Sequence, residues 1–242
     1  MTGTPRLREA FGTPESKGHY VRRLFSTIAD RYDLITVLLS YGQDQRWKRR
    51  LVSLLPDRPG LEALDLACGT GDIAYALQGR AARVVGLDIT PRMVQLARAK
   101  HAPRTSAAPY FIVGDMTSLP FATGSFDVVT TGYGIRNVPR IAPALAEIHR
   151  VLRPGGLLLS LDFNRPGNAL VRSVYLAYLT IVGSTLGLVL HGDPDTYRYI
   201  PESIRRYPGA DGVCAIAREQ AFADCEYFPV LGGLMAIHRA VK

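Results

Sequence analysis

Residues Ala63–Asp72 read ALDLACGTGD. An apolar run that ends in an acid and passes at once into Gly69-Thr70-Gly71-Asp72 is the pattern of a strand turning over glycines into a helix. Glycines in such a turn let a ligand approach the backbone where a side chain would obstruct it. With Ile73-Ala74 the stretch also fits the relaxed dinucleotide pattern GxGxxA, so the glycines alone leave the ligand open. The acids narrow it. A pyrophosphate sits on a helix N-terminus, where free N–H groups and the dipole favour negative charge. Here Asp72 opens the helix and Asp65 ends the strand beneath it. Two carboxylates repel a pyrophosphate and attract the ammonium and sulfonium of S-adenosylmethionine. The simpler role for Asp72 is a helix cap.

Downstream of this turn, short apolar segments alternate with amphipathic ones, the order of a parallel sheet covered on both faces. The expected strands are 63–67, 83–87, 109–113, 126–131 and 157–162. Leu145, Ile148 and Leu152 share a helical face between the last two, and Arg153-Pro154-Gly155-Gly156 is expected to stop that helix as a turn. A helix near 211–222 precedes two further strands, 226–230 and 234–241. Upstream, 1–15 reads as a flexible tail and 16–60 as a helical extension interrupted at Gly42 and closed by Pro56, Pro59 and Gly60. The domain proper is 61–242, with an insertion about 166–210. Within it Ala169–Leu190 is apolar over a bilayer's length. Arg172, Ser173, Gly183, Ser184, Thr185 and Gly187 dilute that run, so a cover over an apolar substrate is expected first, with a plain core helix and then membrane contact as the alternatives.

The 242 residues, 47% of them hydrophobic, suffice for one large α/β domain with an extension. The net charge is +8, and residues 1–60 hold eleven Lys/Arg against six Asp/Glu. The third helix of the extension, with Arg46, Lys48, Arg49 and Arg50, is expected to attract an anionic surface. Cys68, Cys214 and Cys225 are odd in number and lack disulfide-framework spacing, which suits a reducing compartment. No CxxC or HExxH occurs, and His19, His101, His149, His191 and His238 are scattered, so no metal is expected. Residues 1–18 lack the apolar core of a signal peptide, which points to the cytoplasm.

Four spaced elements converge on one cofactor. The glycine loop supplies Asp65, Gly69, Thr70 and Gly71. Asp88, with Ile89, follows the second strand nineteen residues after Gly69, where an acid can accept both ribose hydroxyls. Asp115 and Met116 follow the third strand, where a carboxylate accepts from the adenine amino group and a backbone N–H donates to a ring nitrogen. Pro120-Phe121 and Phe126-Asp127 lead into the fourth strand, whose end faces the methyl group to be transferred.

Beyond these, FSTIADRYD (25–33), Ser40-Tyr41-Gly42 with Trp47-Lys48-Arg49, GYGIRNV (132–138), VLRPGG (151–156), LDFN (161–164), YRYIPES (197–203) and GGLMAIHR (232–239) together resemble the ubiquinone/menaquinone biosynthesis C-methyltransferases. LDLACGTGD and VLRPGG recur in most small-molecule methyltransferases; GYGIRNV and YRYIPES are the specific part. The resemblance implies a Rossmann-like class I methyltransferase fold with a mostly parallel seven-stranded sheet. It implies S-adenosylmethionine as donor, S-adenosylhomocysteine as product, and C-methylation of a reduced polyprenyl quinone, a demethylmenaquinol or the corresponding benzoquinol. Gly132 stands where many members carry Ser, so a cofactor contact there is not carried over.

By the same resemblance, Arg136 stabilises the ionised quinol, with a structural pair to Asp162 as its other role, and Asn137 orients a ring hydroxyl. Tyr32 covers the methionine end of the cofactor, and Tyr133, Tyr199 and Ser203 shape the quinone pocket. The partners implied are a membrane-resident quinol and, peripherally, an anionic membrane surface; a homodimer is left open. Three rivals remain. A nucleic-acid methyltransferase suits the basic charge but lacks an appended module and an NPPY-like motif. An NAD-dependent oxidoreductase is disfavoured by Asp65 and Asp72, and a catalytically silent lipid-binding protein by the intact cofactor motifs.

Overall fold

A computed structural model describes residue 7, residues 9–100 and residues 108–242. The expected tail is therefore only partly covered, and His101 lies outside the described residues. The helical extension starts earlier than its apolar periodicity suggests. Thr13 caps α1 (Pro14–Ile28), its hydroxyl accepting from the Ser16 N–H at 3.1 Å while Ser16 Oγ accepts from the Thr13 N–H. This reciprocal cap, with Pro at the first helical position, sets the boundary. A 3₁₀ turn, Ala29–Arg31, joins α1 to α2 (Tyr32–Leu39), and α3 (Asp44–Val52) follows Gly42, whose φ of 73° breaks the helical run.

The seven strands are β1 (Glu62–Leu66), β2 (Arg83–Asp88), β3 (Tyr110–Val113), β4 (Phe126–Gly132), β5 (Leu152–Phe163), β6 (Asp224–Val230) and β7 (Met235–Val241). Their order is β3-β2-β1-β4-β5-β7-β6, with β7 antiparallel to both neighbours and the other pairings parallel. The connecting helices are α4 (Asp72–Leu77), α5 (Pro91–Lys100) and α6 (Ile141–Val151). Alternate strand residues go to opposite faces. Leu64, Leu66, Val85, Leu87 and Val129 pack on Leu145 and Ile148 of α6, whereas Ala63, Val84 and Val128 pack on Leu51, Ile73, Leu77 and Val94 of α3, α4 and α5. Both faces are covered, which is why β1, β2 and β4 read as continuous apolar runs.

Two local expectations are corrected. Arg153–Gly156 is not a turn: α6 ends at Val151 and β5 begins at once, Leu152 pairing with Phe126 before a register shift. Gly155 supplies the φ of 74° at the kink, and its N–H donates to the Lys242 carbonyl, so the β7 end satisfies what a turn would leave bare. Cys214, on α9 (Gly209–Glu219), and Cys225, on β6, form a disulfide with Cα atoms 5.2 Å apart; Cys68 alone is free. The helix and strand are adjacent hairpin-like partners, a relation that residue spacing does not reveal.

Between β5 and α9 lie α7 (Ala169–His191) and α8 (Asp195–Arg206). Among the described residues α7 is the one helix long and apolar enough to cross a membrane. It packs instead along α8: Tyr175, Leu176 and Leu179 meet Ile204, and glycines bring the backbones together. A Cβ on Gly187 would stand 2.5 Å from the Asp193 carbonyl, and one on Gly183 3.2 Å from that of Tyr197. The opposite face, with Leu170, Val174, Ile181, Leu188 and Val189, is exposed. α1 and α2 lie beside α8, Tyr20 and Val21 packing on Tyr199 and Ile28 and Ile35 on Tyr197.

Candidate active site

Strand order reverses between β1 and β4, and the carboxyl ends of those strands open the crevice where ligands bind in such sheets. The loop after β1 holds Ala67, Gly69 and Gly71 at φ of 50°, 54° and 88°. Gly71 is needed for packing more than for ligand approach, since a Cβ there would meet the Phe111 ring at 2.9 Å. Gly69 lies under Tyr32, whose ring would stand 3.6 Å from an added Cβ. At Gly132 a Cβ would press on Ile73 at 2.8 Å, so a serine there requires Ile73 to shift.

The two acids that favoured a cationic ligand have different fates. Asp72 is already neutralised: its Oδ2 accepts from Lys48 Nζ at 2.8 Å and Gln45 Nε2 at 2.7 Å, and its Oδ1 from Lys100 Nζ at 2.5 Å. Burial opposes its ionisation, yet the two lysines hold the carboxyl well below the usual carboxylate range. Asp72 is therefore a tie between α3, α4 and α5, which corrects its assignment as a site for the donor's positive charges. Asp65 is different. Its Oδ1 accepts from Thr130 Oγ1 at 2.8 Å, its Oδ2 is buried with no partner, and burial pushes its pKa up to about 7 despite that hydrogen bond. A buried carboxylate oxygen left bare beside the glycine loop is a ready acceptor for an ammonium.

Asp88 accepts the Gly69 N–H on Oδ2 at 2.9 Å and the Thr90 N–H on Oδ1 at 2.8 Å. Both oxygens are thus committed to backbone while each retains acceptor capacity for a ribose hydroxyl. With Gly69, Ile89, Asp115 and Met116 it lines a cavity of about 80 Å³. Asp115 Oδ1 accepts from the Thr117 N–H and hydroxyl, and Oδ2 from Arg22 of α1 at 3.3 Å. Arg22, Val21 and Phe25 complete the cavity wall, so the extension closes over the adenosine end. Thr70 faces away from it, its hydroxyl donating to Asp33 of α2 at 2.6 Å. The bare Asp65 oxygen, the Asp88 acceptors and the slot at Met116 fit S-adenosylmethionine.

Tyr32, Tyr133 and Asn137 line both this cleft and a second cavity of about 710 Å³, almost wholly apolar and walled by α1, α2, α7 and α8. Arg136 lines the large cavity, buried, with Nε 3.2 Å from Asp162 Oδ1 and its N–H donating to Oδ2 at 3.0 Å. Its guanidinium also donates to Ser203 Oγ and lies 4.9 Å from the Phe163 ring centre. Both roles expected for Arg136 are thus available together. Asn137 is engaged on both sides of its amide, Nδ2 donating to the Tyr133 carbonyl at 2.7 Å and Oδ1 accepting the Tyr199 hydroxyl at 3.1 Å, which leaves one N–H and one lone pair for a substrate. Tyr199 stacks between Phe11 and Tyr20, and Ser203 Oγ donates to the Ile200 carbonyl. Ser203 therefore holds Arg136, and although Tyr199 also lines the cavity, Ser203 is not part of its wall.

The sequence did not single out Asp44, Phe163, Tyr175 or Tyr178 as site residues. Asp44 is buried at the start of α3, accepting from the Tyr133 hydroxyl at 2.7 Å and pairing with Lys48 at 2.5 Å. Lys48 is buried with it, which leaves Arg46, Arg49 and Arg50 as the exposed basic side chains of α3. Among the described residues no group of three His, Cys, Asp or Glu side chains is arranged to hold a metal.

Comparison with known proteins matches this architecture. The ubiE/COQ5 methyltransferase family profile covers residues 13–242. The demethylmenaquinone methyltransferase of Thermus thermophilus is 41% identical over 217 residues, 89% of this chain and 98% of that protein. The ubiquinone/menaquinone biosynthesis C-methyltransferase UbiE of Dinoroseobacter shibae is 38% identical over 231 residues, 94% and 92% of the two chains. Among solved structures, an S-adenosylmethionine-dependent methyltransferase of Thermotoga maritima superposes with a TM-score of 0.66 at 17% identity, covering 92% of this chain and 99% of that one. The last is a likeness of fold alone. With the fold, the cleft and the match along nearly the whole sequence in agreement, the chain belongs to the ubiE/COQ5 family of S-adenosylmethionine-dependent C-methyltransferases of quinone biosynthesis.

Proposed function

We propose that the enzyme methylates a ring carbon of a reduced polyprenyl quinone, a demethylmenaquinol or the corresponding benzoquinol, with the head group at Tyr32, Tyr133 and Asn137 and the prenyl tail along α7. The observation that carries this is the meeting of the small cofactor cleft, with its Asp88 and Asp115 carboxylates, and a large apolar cavity at those three residues. The donor supplies an electrophilic methyl group. The chain must bring the quinol carbon to it, exclude water and raise the carbon's nucleophilicity by ionising the neighbouring hydroxyl. A phenol near pKa 10 needs a positive neighbour for that at neutral pH. Arg136 is that neighbour. Asp162 and Ser203 fix its plane, and Phe163 shields one side of it from water.

The mouth of the large cavity supports a peripheral membrane contact from the cytoplasmic side. Leu170, Val174, Tyr41 and Leu231 line the cavity and are exposed at the surface, joined by Leu34 and Leu38 of α2. An apolar rim continuous with an apolar cavity lets a prenyl chain pass from bilayer to protein without crossing water. The exposed arginines of α3 would add attraction to anionic lipid, on the order of 1 kcal/mol each near the surface. Flotation with anionic and neutral vesicles, for wild type and Leu170→Asp/Val174→Asp, tests the contact. Loss of binding in the variant supports it, and unchanged binding rejects this face. Mass spectrometry of the quinones in a host lacking the gene tests the substrate: a ring-demethylated quinone should accumulate.

A further inference from the structure

Tyr133 stands at the junction of the cavities and holds a backbone conformation that L-residues rarely adopt, φ 62°. Strain of this kind persists where surrounding structure over-determines it, and it clusters at working sites. Here the Tyr133 N–H donates to the Leu161 carbonyl at 2.7 Å, and its own carbonyl accepts from Asn137. The hydroxyl donates to Asp44 Oδ1 at 2.7 Å, and Asp44 Oδ2 is 2.5 Å from Lys48 Nζ. Lys48 also reaches Asp72, which reaches Lys100, so carboxylates and ammonium groups alternate from the buried Asp44–Lys48 pair beneath Tyr133 to the half-buried Asp72 and the exposed Lys100. Burying such a chain costs free energy, and a tyrosine needs no buried acid merely to pack.

On the quinol reading above, we propose that Tyr133 is a catalytic residue: its hydroxyl oxygen takes the proton of the quinol hydroxyl while its own proton passes to Asp44. The Tyr133 proton points to Asp44, so the oxygen's lone pairs are free to accept from the quinol. The O–H bond of the quinol breaks, and its electron pair stays on oxygen as the phenolate that Arg136 stabilises. Methyl transfer at the ring carbon consumes that charge and leaves a neutral dienone. The dienone then loses its C–H proton to water at the cavity, and the proton held by Asp44 returns through Tyr133 to the ring oxygen. The net result is one proton released per methyl transferred. Lys48 Nζ, 2.5 Å from Asp44 Oδ2, holds that side chain in place against Tyr133.

Single-turnover methylation of a short-chain demethylated quinol tests the relay in wild type, Tyr133→Phe and Asp44→Asn. Asparagine keeps an oxygen to accept the tyrosine proton and loses the ability to take it. Each variant should slow the methyl-transfer step about 100-fold, within the usual range for general acid–base groups, and the double variant should be no slower. Cofactor affinity by calorimetry should change less than about twofold, an outcome a collapsed site would not give. A ring-fluorinated quinol, whose hydroxyl ionises more readily, should recover much of the Tyr133→Phe loss, which no structural defect would do. Wild-type turnover with an undiminished Tyr133→Phe rate, or an equal deficit on the acidic quinol, would overturn the relay alone. A wild-type enzyme inert towards both quinols would overturn the quinol reading and the relay with it.

Discussion

Arg136 meets the buried Asp162 carboxylate twice: its guanidinium Nε lies 3.2 Å from Oδ1, and its backbone N–H donates to Oδ2 at 3.0 Å. Asp162 is fully buried and Arg136 is 4% exposed. Removing one member of such a pair strands the other in a low-dielectric site, at about 3–5 kcal/mol. Arg136→Met should therefore lower both the methylation rate and the Tm, the latter by roughly 6–20 °C for a domain of this size. Adding Asp162→Asn should recover part of the Tm and none of the rate. Calorimetric melting and turnover together decide this; a rate loss with an unchanged Tm would deny the structural half.

Asp65 sets a pH dependence. Its folded pKa, about 7, lies above the unfolded carboxylate value, so between about pH 4 and 7 the folded protein without ligand holds an extra proton. Stability conferred at that site falls as pH rises through this window, by on the order of 4 kcal/mol at most. Binding of a cofactor ammonium expels the proton. Cofactor affinity should rise up to about tenfold per pH unit between pH 5 and 7 and then level off. Titration calorimetry in buffers of different ionisation heat should show proton release at pH 6, absent in Asp65→Asn.

Gly187 reverses an ordinary expectation. Glycine to alanine inside a helix usually gains up to about 1 kcal/mol. Here the new Cβ would stand 2.5 Å from the Asp193 carbonyl, which is backbone and cannot rotate away. Gly187→Ala should destabilise by about 1–3 kcal/mol, the usual cost of overpacking. An unchanged or raised Tm would show that α7 and α8 are not held this closely.

Ion pairs tie the extension across the cofactor cleft: Arg22–Asp115, Arg92–Asp30 and Lys100–Asp33. They are largely exposed, so each is weak and screened by salt. Release of S-adenosylhomocysteine, followed by stopped-flow fluorescence, should quicken several-fold between 0.05 and 0.5 M salt, by roughly the loss of 0.2–1 kcal/mol per pair. A salt-independent rate would mean that the extension does not open for release.

The sheet was legible because its central strands are buried on both faces and stand out as apolar runs. The cofactor side was legible because Gly69 and Asp115 lie just past the ends of strands and Asp88 ends one. Lys48 was not. In the sequence it belongs to a basic run, but it lies four residues after Asp44, so one turn of α3 places both inward while Arg46, Arg49 and Arg50 stay exposed. Asp72 misled for the same reason: its neutralising lysines come from α3 and α5, distant in sequence. Asn137 and Ser203 were found by their motifs, but their partners, Tyr199 and Arg136, meet only when α8 folds over the end of β4.

Methyl transfer from S-adenosylmethionine to a quinol carbon is read out with methyl-labelled donor and a chemically reduced, ring-demethylated quinol. One labelled methyl is expected on the ring carbon, recovered by mass spectrometry after oxidation to the quinone, with no transfer when the quinone is supplied oxidised. Label on the quinol oxygen, or none on the quinol while the protein binds donor and quinol, would contradict it.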